Sequence, residues 1–79
     1  MPTTQDEYRE YVRECAESIL NILSEENVKP FTQEYLDRVD HLTTNMTRGS
    51  SYPDFDHTRI MGKTMSLAFK KYNPLPPLQ

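Results

Sequence analysis

Three apolar stripes, each recurring every three or four residues, run through this 79-residue chain, with punctuation at 28–32 and 49–53 between them. At about 100° per residue, that spacing gathers the apolar side chains onto one face of a helix. Period-two alternation, the mark of a half-buried strand, is nowhere convincing. The pattern predicts an all-α fold: a small three-helix bundle with helices over about 5–23, 32–48 and 55–72, then an extended proline-rich C-terminal tail. Residues 1–73 form the single helical domain and residues 74–79 the tail.

In the first helix the stripe is Tyr8, Tyr11, Val12, Cys15, Ala16, Ile19, Leu20, Ile22 and Leu23, with Glu10, Glu14, Glu17 and Asn21 opposite. Thr4 and Glu7 have the spacing of a capping box. Pro30 disfavours helix in the residue before it. Thr32 is the expected N-cap of the second helix, with a hydrophobic staple between Phe31 and Leu36. The second stripe is Tyr35, Leu36, Val39, Leu42, Thr43 and Met46, and Gly49 suits a left-handed C-terminal position. Ser51, Asp54 and Asp56 are alternative caps for the third helix. Its apolar side carries Ile60, Met61, Met65, Leu67, Ala68, Phe69 and Tyr72. Gly62 inside that helix costs about 1 kcal/mol against alanine, which suggests close backbone approach or a kink.

So short a chain builds one modest core. A single cysteine and no metal-ligand spacing mean that neither a disulfide nor structural zinc supplements it. Helix packing must carry the fold, with self-association as a homodimer the available supplement. No run of residues approaches the roughly 18 apolar positions of a membrane span. The N-terminus lacks a basic region followed by an apolar run, so no secretory signal is read there. The expected location is the cytoplasm, where the sequon Asn45-Met46-Thr47 has no meaning.

Charge is unevenly spread. Residues 1–40 carry ten acids and four bases, and residues 41–79 carry two acids and five bases. Either acidic and basic helices attract each other inside the fold, or oppositely charged outer faces are offered to partners. Glu10 and Glu14 repel at i,i+4, whereas Arg13 and Glu17 attract.

No constellation specifies a reaction. Cys15 falls in the apolar stripe beside Glu14, whose charge opposes thiolate formation, so it reads as core. His41, His57, Asp37, Asp54 and Asp56 are metal-capable types at spacings that match no zinc motif, and read as surface polar residues. With only Gly49 and Gly62 there is no glycine-rich phosphate loop. The expectation is no enzyme, with no catalytic residues, no metal and no cofactor.

Surface contact remains. Tyr52-Pro53-Asp54-Phe55 reads as exposed, rigid and aromatic, and tyrosine provides large contact area at low entropy cost. Those four residues are the expected protein-binding surface, with Glu10, Glu14 and Glu17 second. Lys71-x-x-Pro74-x-x-Pro77 matches a pattern taken by aromatic grooves. In the plainer reading of the tail, Leu75 and Leu78 fold back over the bundle. Arg59, Lys63 and Lys70 form a basic stripe on the third helix, which makes nucleic-acid binding the alternative. Against it stand overall acidity and a Gly49–Asp54 connector longer than a helix-turn-helix allows. In size, acidity and helicity the chain resembles small phage-encoded inhibitors and bacteriocin immunity proteins, a similarity of type with no shared motif. The function expected is a small non-enzymatic protein-binding module: an inhibitor, antitoxin-like factor or adaptor of the kind phage and mobile elements encode.

Overall fold

A computed structural model of the chain describes residues 4–72; the proline-rich tail lies outside the described residues. Three helices account for nearly all of them: α1 (Thr4–Glu25), α2 (Gln33–Thr47) and α3 (Pro53–Tyr72). There is no strand among the described residues. The start of α1 meets the start of α3 through Tyr8 and Asp56, and the start of α2 meets the end of α3 through Phe31 and Phe69. Thus α1 and α3 run parallel and α2 returns antiparallel against both. The α1–α3 pairing is the most extensive of the three.

Each boundary has a local cause. The stripe of α1 carries the helix two residues past Leu23, where a Schellman motif ends it. There Val28 N–H donates to the Leu23 carbonyl at 3.2 Å and Asn27 N–H to that of Ser24 at 3.2 Å. Asn27 adopts the left-handed conformation, φ 57°, that this motif requires. Thr4 lies inside the first turn of α1 instead of capping it. Thr32 is the N-cap of α2: its Oγ1 accepts Tyr35 N–H at 3.2 Å and donates to the Lys29 carbonyl at 2.8 Å. Phe31 is left-handed, φ 62°, and its ring packs on Tyr35 and Phe69, while Leu36 stays largely exposed. Phe31 thus makes an aromatic contact to α3. Gly49 is not left-handed, and α2 closes on Arg48 in ordinary helical geometry.

None of the three expected caps opens α3. Pro53 takes its first position, where a missing N–H costs nothing. Asp56 N–H donates to the Tyr52 carbonyl at 3.0 Å, which makes Tyr52 the flanking residue.

The core consists of Val12, Ala16, Ile19, Leu20, Leu23, Tyr35, Val39, Ile60 and Ala68. Met61, Met65, Leu67, Leu42, Met46, Val28 and Cys15 pack around it half-buried. Tyr11, Phe69 and Tyr72 stay more exposed than their stripes imply. Thr43, Thr47 and Thr64 are buried among these apolar groups. Each hydroxyl donates to the carbonyl four residues earlier, at 2.7, 3.0 and 2.7 Å, which leaves the methyl to pack. The buried stripe of α3 is accordingly Asp56, Ile60, Thr64 and Ala68, four residues apart each time. Among the described residues no helix is long and apolar enough to cross a membrane.

Candidate functional site

Asp56 is the one carboxylate in the buried set, 8% exposed, one turn into α3. A buried charge is costly unless its lone pairs are filled. Here Tyr8 Oη donates to Oδ1 at 2.6 Å and Ser50 Oγ donates to Oδ2. Ser50 Oγ in turn accepts Tyr52 N–H at 3.1 Å. The start of α3 also favours a negative group through its unpaired N–H dipoles. One side chain therefore ties α1, the α2–α3 connector and the first turn of α3 together. Burial, then the hydrogen bond to Asp56 and its charge, push the Tyr8 phenol from 10 up to about 12.

That lock positions the Tyr52–Phe55 segment, in which Pro53, Asp54 and Phe55 belong to the first turn of α3 and Tyr52 flanks it. Tyr52 is 74% exposed and Phe55 52%, with Pro53 and Asp54 exposed between them. The Phe55 ring lies 5.9 Å from that of Tyr8, and the Arg59 guanidinium sits 5.1 Å above it. Phe55 is thereby in contact with both Tyr8 and Arg59, while Tyr52 projects outward. An exposed aromatic pair on a pinned helix start can bury area against a partner with little loss of conformational freedom.

Glu10, Glu14 and Glu17 are exposed on α1, but Arg13 stands among them, 3.8 Å from Glu10 and 3.5 Å from Glu17. The acidic face is therefore partly neutralised. The basic stripe also divides. Arg59 and Lys63 line a groove between α1 and α3 together with Arg9 and Arg13, and Lys70 lies beyond it. Sequence reasoning missed this pairing because it placed Arg9 and Arg13 within an acidic helix. The signal was present in their spacing to Tyr8 and Val12, which puts them at the edge of the α1 face that meets α3.

The histidines are apart. His57 Nε2 lies 2.7 Å from Asp40 Oδ1 across α2 and α3, whereas His41 contacts Asn45 on the same helix. Asp37 accepts from Gln33 at 2.9 Å. Among the described residues no three His, Cys, Asp or Glu side chains come together as a metal site. Cys15 packs against the core, and burial pushes its thiol up. From α2, the fork of Arg38 grips Glu26, one residue past the end of α1, at 2.8 and 2.6 Å. Glu10 and Glu17 pair with Arg13 of their own helix.

Compared with protein-family profiles, curated proteins and solved structures, the chain matches none.

Proposed function

We propose that the chain is a small, non-enzymatic protein-binding module of the cytoplasm, an inhibitor, antitoxin-like factor or adaptor, that engages a protein partner through Tyr52, Pro53, Asp54 and Phe55. One observation supports this reading. The two most exposed large aromatics, Tyr52 and Phe55, stand on a helix start pinned by the buried Asp56. Large apolar side chains left in water on a rigid support are the usual anatomy of a contact hot spot. Glu10, Glu14 and Glu17 on α1 are the second part of the proposed contact, weakened because Arg13 holds Glu10 and Glu17.

Tyr52→Ala tests it. Tyr52 makes no ring contact among the described residues, so helicity and melting temperature should stay unchanged while capture of the partner from host extract falls at least tenfold. Phe55→Ala is the less clean variant, since it also strips rings from Tyr8 and Arg59. Capture that survives Tyr52→Ala removes this surface from the reading.

The second reading, a nucleic-acid-binding regulator using Arg59, Lys63 and Lys70, draws support from the grouping of Arg59 and Lys63 with Arg9 and Arg13. It requires a gel shift that weakens steeply with salt, and absence of binding at 50 mM salt, a concentration chosen because phosphate contacts are strong there, discards it.

A further inference from the structure

We infer that the groove between α1 and α3 binds an extended acidic segment of a protein partner, an assignment that rests on the protein-binding reading and gives it a ligand chemistry. The groove runs beside the first turns of α1 and of α3, from Phe55 to Ser66, open to solvent, with a volume of about 1490 Å³. Small-molecule pockets hold about 300–1,000 Å³, so this one has the dimensions of a seat for a chain segment.

Its charge is the reverse of the molecule's. The chain carries a net −3, yet four bases, Arg9, Arg13, Arg59 and Lys63, line the groove. Glu10, on the rim of the groove, pairs with Arg13 and with none of Arg9, Arg59 and Lys63. Arg13 is held at 3.8 and 3.5 Å by side chains that are more than half exposed, and such pairs exchange readily for a better partner. Guanidinium forks match carboxylates two bonds at a time. The Arg59 fork is already oriented, stacked over Phe55 at the groove's edge.

Gly62 adds an independent argument. It lies in the groove wall, and a Cβ added there would meet nothing within 4 Å. Neither a close approach within the fold nor the expected tight packing accounts for it. A residue that costs a helix interior about 1 kcal/mol instead leaves the wall bare where a ligand backbone would pass.

Two features select a peptide over a nucleic acid. Asp6 and Glu10 share the α1 rim with Arg9 and Arg13, and alternating signs repel a continuous phosphate backbone while accepting spaced carboxylates. Lys70 and Lys71 do not line the groove, so the basic track stops within it instead of running along α3.

The test is a titration of the ¹⁵N-labelled full chain with an octapeptide of alternating glutamate and serine, and separately with an eight-residue oligothymidylate. Saturable amide shifts centred on Arg9, Arg59, Gly62 and Lys63, weakened by added salt, are expected with the peptide. The double change Arg59→Gln, Lys63→Gln should weaken binding at least tenfold, and Lys70→Gln, Lys71→Gln should leave it unchanged. Gly62→Ala should raise the melting temperature and weaken peptide binding several-fold. Shifts that do not saturate, shifts centred on Lys70 and Lys71, or tighter seating of the oligothymidylate in the groove would each overturn the assignment. Tyr52 does not line the groove, so the two readings fail separately. Lost peptide binding with Tyr52-dependent capture intact removes only the groove. Peptide binding with capture indifferent to Tyr52→Ala removes only the aromatic surface.

Discussion

The phenol of Tyr8 donates to Oδ1 of Asp56 at 2.6 Å, joining two helix starts that are 48 residues apart in sequence. Around this bond the connector and the Tyr52–Phe55 turn are organised.

Tyr8→Phe should lower stability by about 2 kcal/mol, the scale of a hydrogen bond to a charged group, as read by urea unfolding at pH 7. The pH dependence carries a sign. Tyr8 is raised from 10 to about 12, so its contribution is complete below pH 10 and is lost as pH climbs through 12. Unfolding curves from pH 9 to 12 should slope downward in the parent and less steeply in Tyr8→Phe. Equal slopes would refute the role of this phenol.

The acid limb belongs in part to Glu26. The hydrogen-bonded Arg38 fork holds its carboxyl below the ordinary 4.5. Its stabilisation is present above that value and is lost as pH falls through the lowered one. An NMR titration should place Glu26 below 4.5, and Arg38→Gln should raise it back toward that value.

Asn27 closes α1 in the left-handed region, which suits glycine or asparagine. Asn27→Gly should be nearly neutral, while Asn27→Val should cost about 1–2 kcal/mol in thermal unfolding. A neutral valine would mean that the Schellman turn contributes little to the end of the helix.

Tyr35 is buried, and its hydroxyl has no hydrogen-bond partner among the described residues. Tyr35→Phe removes an unsatisfied polar atom and keeps the ring against Phe31, so it should stabilise the domain by about 1 kcal/mol. A loss of stability in calorimetry would show that the hydroxyl is satisfied.

Periodicity alone made the three helices legible, because an amphipathic helix states its buried face in its own spacing. Val12, Ala16, Ile19, Val39 and Ile60 were all read into the core that way, and Thr32 declared its cap through residue type and position. Surface candidates were legible only as residue types. Tyr52 and Phe55 are exposed as their neighbourhood implies, but their places before and within the first turn of α3 are not readable, since Pro53 opens a helix as readily as it marks a turn.

Tertiary structure decided what depends on a partner from elsewhere in the chain. Asp56 reads as a cap or a surface acid until Tyr8 and Ser50 arrive to fill its lone pairs, and only then can a carboxylate be buried. Thr64 reads as polar until its hydroxyl turns back onto the Ile60 carbonyl and its methyl faces the core. Arg9 and Arg13 belong to an acidic helix in sequence and to a basic groove in space, because packing against α3 sets them beside Arg59 and Lys63. Local spacing determines which side of each helix avoids water; which charges then become neighbours is settled by how those sides meet.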